Sequence, residues 1–491
     1  MAAQPPEWVK DAVFYQIFPD RFAKSLAVPK PDNLEPWASP PTTYGFKGGD
    51  LIGVAEHLDY LEALGVTAIY FNPIFQSTAN HRYHTHDFFL VDPILGGNEA
   101  FRELLDAAHA RGLRIVIDGV FNHASRGFYY FNHLLENGPA SPFIDWFFVL
   151  DKWPINAYDL TRPPGYAAWW GLHALPKFNT NTPAVREYLW RVAEFWIRFG
   201  ADGWRLDVPN EINDDAFWRT FRTRVKTENP DAYIVGEIWH EAGRWLQGDM
   251  FDGVMNYLFT RAIVGFVVGA NAEPHLLQGI GYGPVPVLDA AEFAHQVEVL
   301  LTLYPPEITM TQLNLLGSHD TPRILSIANQ DVSAVRLAAL LLMTFPGAPC
   351  IYYGDEIGML GGKDPGNRSA FPWQSEAAWN HALLDEFKYL IAVRREYPAL
   401  RRGEFKILYA QDPLFAFARR LANQTLIVAV NVGRRRQPLP LPVTDRLGLP
   451  EGTRLHNLLA PRDRPYEVVG GQIATLALGP RAGAVLVVDA G

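Results

Sequence analysis

Short apolar runs alternate with amphipathic helical patterns along the first 400 residues of the chain. The apolar runs predict strands at Ala12–Ile17, Ala68–Phe71, Arg114–Asp118, Gly203–Asp207, Tyr233–Glu237, Gly253–Asn256, Thr311–Leu316 and Cys350–Tyr353. Between them, apolar residues recur every three or four positions, as on a helix with one buried face. Eight strands, each followed by a helix, predict a (β/α)8 TIM barrel of the α/β class rather than an open doubly wound sheet.

Several local signals bound the predicted helices. Gly65 ends the helix whose buried face includes Val54, Leu58 and Leu61. Asn98 is predicted to cap the next helix, and Thr182 with Pro183 to begin a later one.

The alternation fails in two regions, which predicts three domains. Residues 124–182 are rich in aromatic residues, proline and glycine and contain no long periodic run, so we predict a domain inserted after the third strand. After residue 400, alternating runs such as Leu414–Phe417, Thr425–Val430 and Ala484–Val488 predict an antiparallel β-sandwich domain. The expected boundaries are 1–123 and 183–400 for the catalytic barrel, 124–182 for the inserted domain B and 401–491 for the C-terminal β domain.

Composition and charge exclude several classes of protein. The 491 residues include 43 Lys and Arg against 53 Asp and Glu, and the net charge of −10 disfavours nucleic acid or an anionic membrane as a partner. The single cysteine, Cys350, excludes an intrachain disulfide and fits a reducing compartment. The amino terminus lacks the pattern of a secretory signal, and no apolar stretch is long enough to span a bilayer. We therefore expect a cytoplasmic protein.

Two carboxylates are the first candidates for chemistry. Asp207 and Glu237 each end a predicted strand, and Arg205 faces the same way as Asp207 because side chains alternate along a strand. We expect Arg205 to keep Asp207 ionised, and the apolar neighbours of Glu237 to keep its proton. Two acids in opposite protonation states are what a retaining glycosidase needs. Taken singly, either acid could instead cap a helix or pair with a lysine.

Further polar residues follow the predicted strands, at the end of the barrel where TIM-barrel enzymes place their active sites. They are Asp118, Asn122, His123, Arg205, His319 and Asp320. A metal site made of the histidines and aspartates is the alternative, but an arginine aimed at the same centre would repel a cation. We expect no metal and no cofactor.

Four segments carry a resemblance to a known family. They are DGVFNH (118–123), GWRLDVPNE (203–211), GEIW (236–239) and LGSHD (316–320), and they resemble the signature segments of the α-amylase superfamily, glycoside hydrolase family 13. With LPKFN (175–179), NHRYHTHD (80–87) and YYGDEIGMLGGKDPGNR (352–368), the chain is similar to the neopullulanase, cyclomaltodextrinase and maltogenic amylase branch.

The resemblance implies a role for each matching residue. Asp207 would be the nucleophile, Glu237 the general acid and base, and Asp320 a third acid that binds the hydroxyls of the distorted sugar. The implied substrate-binding residues are Tyr83, Asp118, His123, Arg205, Glu211, Trp239, His319, Asp364 and Arg368. Asp364 and Arg368 could equally form an exposed loop ion pair, and Trp239 could equally be a packing residue.

The chain also departs from the family pattern. Members of this branch usually carry an additional amino-terminal β-domain of about one hundred residues, and Tyr15 here already lies in the first predicted strand, so we expect a monomer or a homodimer that does not use such a domain. The loop after this strand, FAKSLAVPKPDN, supplies few of the Asn and Asp ligands of a family calcium site, and Glu211 replaces a calcium-site histidine. Calcium is therefore not expected. Pro209 and the segment LPKFN also differ from the common residues, which leaves the linkage preference open.

The function implied is retaining hydrolysis of α-1,4-glucosidic bonds in cyclodextrins, maltooligosaccharides, pullulan and starch, with α-1,6 cleavage and transglycosylation as further activities. The alternatives are an ordinary endo-acting α-amylase or an α-glucosidase of the same superfamily. A non-catalytic glucan-binding barrel is the alternative from another class, and such a protein would be expected to lack one of the three acids.

Overall fold

Eight parallel strands close into a barrel in the computed structural model, which describes residues 4–473 and 475–489. The strands are β1 (Phe14–Ile17), β2 (Ala68–Phe71), β3 (Arg114–Gly119), β4 (Gly203–Leu206), β5 (Tyr233–Gly236), β6 (Gly253–Asn256), β7 (Leu313–Leu315) and β8 (Ala348–Tyr352). β1 pairs with both β2 and β8, and this pairing closes the barrel. The predicted barrel is confirmed.

The apolar character of the strands follows from their burial on both faces. Every residue of β1, β2, β4, β5 and β8 is buried. One face fills the barrel and the other packs against the surrounding helices, so neither face can be polar throughout. The exceptions, such as Arg205 in β4, therefore indicate positions with polar partners inside the barrel.

Helices surround the barrel. The longer ones are α1 (Leu51–Glu56), α2 (Leu58–Leu64), α3 (Gly97–Ala110), α4 (Pro183–Phe199), α5 (Asp215–Glu228), α6 (Tyr257–Ile263), α7 (Ala290–Thr302), α8 (Val332–Thr344) and α9 (His381–Glu396). The expectation of a helix after every strand is wrong after β5, because residues 237–252 form turns and bends.

The local signals have mixed outcomes. Gly65 ends α2 in the left-handed region with φ of 93°, as predicted, but His57 interrupts the expected single helix. Pro183 begins α4 as predicted. The cap predicted at Asn98 is wrong. Its side chain accepts a hydrogen bond from Val91 N at 2.7 Å and donates to Phe89 O at 3.1 Å, so it joins α3 to the preceding strand Thr85–Val91.

The segment between β3 and α4 has little regular structure. It contains the helix Tyr129–Asn137 and short 3-10 turns. Isolated bridges pair His123 with Lys177 and Phe147 with Phe178, so both ends of the segment return to the carboxyl end of β3. The segment thus lies beside the end of the barrel at which the polar residues following β3 are found.

The carboxyl-terminal part forms an antiparallel sheet of six strands. In chain order they are β9 (Glu404–Gln411), β10 (Leu414–Leu421), β11 (Gln424–Asn431), β12 (Arg454–Asn457), β13 (Tyr466–Glu467) and β14 (Ala482–Val488). Their order in the sheet is β9-β10-β11-β14-β12-β13, and two short two-stranded sheets accompany it. The predicted antiparallel β structure after the barrel is confirmed.

Two further observations concern the whole described chain. Among the described residues, none of the helices combines the length and the apolar character that crossing a membrane requires. Cys350, on β8, is buried in the barrel.

Candidate active site

The two central acids lie directly after neighbouring strands. Asp207 follows β4, and its N–H donates to Gly119 O at 3.1 Å, while Glu237 follows β5 and its N–H donates to Leu206 O at 2.9 Å. These bonds continue the barrel ladder by one step, so both carboxyl groups begin from rigid backbone at the carboxyl end of the barrel, which we call the barrel mouth. Asp207 is 8% exposed and Glu237 is 3% exposed.

A single buried guanidinium joins these acids. Arg205 Nη1 lies 3.1 Å from Asp207 Oδ1 and 3.0 Å from Asp118 Oδ2, and Arg205 Nη2 lies 2.8 Å from Glu237 Oε1. The sequence predicted an arginine beside Asp207 alone. The structure places it among three acids because β3, β4 and β5 are adjacent in the barrel. One positive charge cannot balance three negative charges, so the cluster favours retention of a proton.

The pKa shifts agree with this excess of acid. Burial, with the charges of Asp320 and Asp118, raises the pKa of Glu237 to about 7, although Arg205 opposes the shift. Burial and the Glu237 charge also raise the pKa of Asp207. Arg205 opposes this rise, so the ionised Asp207 that the sequence predicts depends on which acid of the cluster keeps the proton.

Hydrogen-bond geometry distinguishes the two acids. Arg205 Nη1 donates a hydrogen bond to Asp207 Oδ1. Arg205 Nη2 lies near Glu237 Oε1, but it is not oriented to donate a hydrogen bond to any described residue. A hydrogen bond to the charged form favours that form. Glu237 also shares a hydrogen bond with Asp320 that lowers the pKa of Asp320, and this bond places the proton on Glu237.

Backbone strain adds a further contact to Glu237. Val208 has φ of 35° and ψ of 51°, in the left-handed region that a β-branched residue rarely adopts. In this conformation its N–H donates to Glu237 Oε2 at 3.2 Å, and Trp239 Nε1 donates to Oε1 at 3.2 Å. Val208 was not among the predicted site residues, since nothing in the sequence signals a strained valine.

Asp118 lies at the floor of the site and is fully buried. It accepts hydrogen bonds from the Tyr70 and Tyr83 hydroxyls, both at 3.0 Å, as well as from Arg205. Burial raises its pKa despite these partners. A carboxyl with so many protein donors is suited to positioning Arg205 and Tyr83.

Asp320, after β7, has a different environment. Arg368 Nη2 donates to its Oδ1 at 3.1 Å, and His319 Nε2 lies 3.1 Å from its Oδ2. Burial opposes ionisation of Asp320, but His319, Arg368 and Arg205 outweigh it and lower the pKa. The third acid is therefore an anion at neutral pH.

The pair Asp364 and Arg368 is present, with 3.0 Å between Asp364 Oδ1 and Arg368 Nη1. The Arg368 side chain is only 9% exposed and also contacts Asp320, while Asp364 is 53% exposed. The alternative of a purely exposed loop ion pair is therefore wrong for Arg368, because its guanidinium reaches the acid cluster.

Tyr83 and His319 form one hydrogen-bonded unit. Their rings are stacked with centroids 5.4 Å apart, and Tyr83 Oη lies 2.6 Å from His319 Nε2. Gln16 and Asn72, which were not predicted, support the unit. Gln16 Nε2 lies 2.9 Å from His319 Nδ1, and Asn72 Nδ2 donates to the Tyr83 hydroxyl at 3.1 Å. A polar residue inside an apolar strand, as in FYQI, was the available signal for Gln16.

His123 and Asn122 present unused polar atoms. Both are 1% exposed, and Asn122 Nδ2 lies 3.2 Å from His123 Nδ1. Within the described part of the chain, His123 Nε2 and Asn122 Oδ1 have no hydrogen-bond partner. Burial lowers the pKa of His123 to about 3, so the imidazole is neutral. Buried polar atoms without partners are costly unless a ligand completes them.

Trp239 and Glu211 complete the predicted set. Trp239 stacks on Tyr257, with ring centroids 3.6 Å apart and an interplanar angle of 6°. Its indole also reaches Glu237, so it has both the packing contact and the contact to the acid. Glu211 accepts from Lys177 Nζ, which lies 3.4 Å from Oε2, and the two residues line a cleft with Asn213 and Asp214.

The described residues contain no group of three or more His, Cys, Asp or Glu side chains arranged to bind a metal ion. The acids at the barrel mouth instead share two arginines, Arg205 and Arg368. The absence of a metal or cofactor stays a prediction.

Comparison with known proteins agrees with this fold. Residues 16–400 match the alpha amylase catalytic domain. The chain is 43% identical over 461 residues to a cyclomaltodextrinase from Geobacillus thermopakistaniensis (strain MAS1), a match covering 93% of this chain and 74% of that protein. It is 44% identical over 447 residues to neopullulanase 2 from Thermoactinomyces vulgaris, covering 90% and 73% of the two chains.

Two solved structures are similar over nearly their whole length. Ttha1563 from Thermus thermophilus has a TM-score of 0.93 at 51% identity and covers 98% of this chain and 99% of its own. The debranching enzyme from Nostoc punctiforme has a TM-score of 0.90 at 50% identity, with 99% and 100% covered.

The closed (β/α)8 barrel with buried carboxyl groups at its mouth is typical of TIM-barrel enzymes, whose active sites lie at the carboxyl ends of the strands. The chain belongs to the alpha-amylase family of glycoside hydrolases. The family resemblance read from the sequence motifs is confirmed, and so is the expectation of an enzyme.

Proposed function

We propose that the chain is a retaining hydrolase of α-1,4-glucosidic bonds in cyclodextrins, maltooligosaccharides, pullulan and starch. The observation that carries the proposal is the shared guanidinium of Arg205, which contacts both Asp207 and Glu237 at the mouth of the barrel. The names of the relatives, cyclomaltodextrinase and neopullulanase, support this class of substrate.

In the proposed mechanism, Glu237 gives its proton to the glycosidic oxygen while an Asp207 oxygen attacks the anomeric carbon. The bond to the leaving sugar breaks, and a covalent glycosyl ester of Asp207 forms. Glu237, now ionised, removes a proton from water, which attacks the anomeric carbon and releases Asp207. Two inversions return the α configuration. The raised pKa of Glu237, about 7, supports its role as proton donor.

The other residues bind and orient the sugar in this proposal. Asp320 is an anion and can accept hydrogen bonds from two ring hydroxyls. His123 Nε2, buried and without a partner among the described residues, is available for a third. His319, whose pKa burial lowers to about 3, and the Tyr83 hydroxyl lie beside Asp320. Trp239 faces the leaving-group side together with Glu211.

A second candidate function is hydrolysis of α-1,6 bonds. The Nostoc punctiforme protein, named a debranching enzyme, matches this chain over its full length at 50% identity. The two candidates differ in which linkage fits the space lined by the inserted segment.

The test is product analysis on panose, pullulan and β-cyclodextrin, compared side by side, with the anomeric configuration followed by proton NMR. Panose contains one bond of each kind. Release of the α anomer with cleavage of the α-1,4 bond supports the main proposal, and preferred α-1,6 cleavage supports the second. Initial release of the β anomer would contradict retention.

A further inference from the structure

The loop after β1 contains a fully buried lysine. Residues 23–50 form no strand and no long helix, yet the Lys47 side chain has no exposed surface. Its Nζ donates to Pro36 O at 2.8 Å, Ser39 O at 2.8 Å and Ser39 Oγ at 2.5 Å, and lies 3.2 Å from Glu35 Oε2. The ammonium is thus surrounded by carbonyl, hydroxyl and carboxylate oxygens, which is the ligand set of a hard cation.

The backbone of Lys47 is anchored as firmly as its side chain. Lys47 N and Gly48 N donate to the two carboxylate oxygens of Asp20, at 2.9 and 3.1 Å. Asp20 in turn accepts from Arg21 Nε at 2.7 Å. The Lys47 side chain therefore extends from a fixed backbone position, and the loop surrounds its ammonium group.

The carboxylates of this region do not fit a divalent metal ion. Glu35 is paired with Lys47, and the buried Asp50 with Lys30 Nζ at 3.0 Å. Asp20 is used by Arg21 and the backbone, and Asp32 is exposed. Calcium needs six to eight oxygens with carboxylates among them, and a lysine ammonium among the same oxygens would repel it.

We propose that the Lys47 ammonium is the built-in cation of this loop and takes the place of a bound metal ion. Pro36, Ser39 and Glu35 supply oxygens that would otherwise face one another without a positive charge. Loss of the ammonium leaves a cavity that a small free ammonium ion can fill.

The loop is connected to the barrel mouth through two arginines. Gly45 O, two residues before Lys47, accepts from Arg21 Nη2 at 2.8 Å. Arg21 Nη1 donates to Arg368 O at 3.0 Å, and Arg368 contacts Asp320. A change in the loop is therefore expected to reach the sugar-binding acid and to alter KM more than kcat.

The experiment compares Lys47→Ala with the wild-type chain in the presence of methylammonium chloride or of tetramethylammonium chloride at the same ionic strength. The Tm and the KM for maltotriose are measured for both proteins in each salt. For Lys47→Ala we expect a lower Tm and a KM raised about fivefold. This factor corresponds to part of the free energy of a hydrogen bond to a buried charged group. Methylammonium should reverse at least half of each change, and tetramethylammonium, which is too large and has no N–H, should reverse none.

Two controls make the result decisive. Lys24→Ala removes an exposed lysine of the same loop and should change neither quantity. If Lys47→Ala is insoluble, the Tm of Lys47→Gln, which keeps two N–H donors without the charge, is compared with that of the wild type in the absence of the ammonium salts. The melting readout does not depend on the proposed substrate.

The proposal is overturned if the neutral Lys47 variant melts like the wild type, or if both ammonium salts act alike on Lys47→Ala. It is also overturned if a chelator lowers the Tm of the wild-type chain, since that result would reveal a structural metal ion.

Discussion

Buried arginines at the two ends of the barrel have partners of different kinds. Arg205, at the mouth, contacts the carboxyl groups of Asp118, Asp207 and Glu237. Arg419, on β10, donates to Thr344 O and Leu400 O at 2.6 Å and to Gly403 O at 3.0 Å, where α8 ends and the antiparallel sheet begins. Both side chains are fully buried.

The two arginines differ in whether their partners exchange protons near neutral pH. Peptide carbonyls take no proton between pH 5 and pH 9, whereas clustered carboxyl groups exchange protons in this range when burial raises their pKa. The base of the barrel therefore uses an arginine to join two domains, and the mouth uses one to keep acids close together. The same residue type indicates stability in one place and chemistry in the other.

The largest expected effect is on turnover. Asp207→Asn should lower kcat by about 10⁴-fold or more, since it removes the proposed nucleophile. The Tm should not fall, because a buried and crowded charge is lost. The matched control is Asp202→Asn at the opposite end of β4, where the carboxylate pairs with His109 and Arg114. This variant should lose stability and keep its kcat. Equal turnover in the two variants would contradict the assignment.

Arg205→Met should lower the free energy of unfolding by about 3–5 kcal/mol, because three buried acids lose their shared cation. The loss should be greater at pH 8 than at pH 5.5. Without the arginine the folded-state pKa values of the acids rise further, and acids with raised pKa values lose stability as the pH increases. Urea unfolding at the two pH values measures this, and a loss independent of pH would argue against the acid cluster.

The pH dependence of kcat/KM tests Glu237. The proton donor must keep its proton, and its pKa is about 7. We expect kcat/KM to decline above pH 7, by about tenfold per pH unit. Glu237→Gln should be slower by about 10²–10⁴-fold and should lack this alkaline decline. An unchanged alkaline limb in the variant would assign the titration to another group.

The smallest effect is expected at the base. Arg419→Met should lower the free energy of unfolding by about 1–3 kcal/mol, since carbonyl groups lose their donors. Burial lowers the pKa of Arg419, but arginine side chains are not deprotonated in proteins at neutral pH, so the loss should be equal at pH 5.5 and pH 8. Arg420→Met, the exposed neighbour on β10, is the control. A changed kcat in Arg419→Met would show that the base is coupled to the mouth.

Sequence patterns predicted the barrel because strands buried on both faces leave an unmistakable apolar run. They placed Asp207, Glu237 and Asp320 at one end of the barrel because parallel strands end together. They could not show that Arg205 contacts three acids, which depends on strand neighbours far apart in the chain. The strain at Val208 and the support of Gln16 likewise depend on packing that periodicity does not encode.

The domain boundaries and the roles of the individual residues remain predictions. One measurement directly tests the role of Asp207 as the nucleophile. A fluorinated α-glucosyl fluoride, which slows release of the glycosyl group, is mixed with the enzyme, and the modified peptide is identified by mass spectrometry. We predict one added glycosyl group on Asp207. Labelling of another residue, or no labelling while the substrate is consumed with inversion, would contradict a retaining mechanism through Asp207.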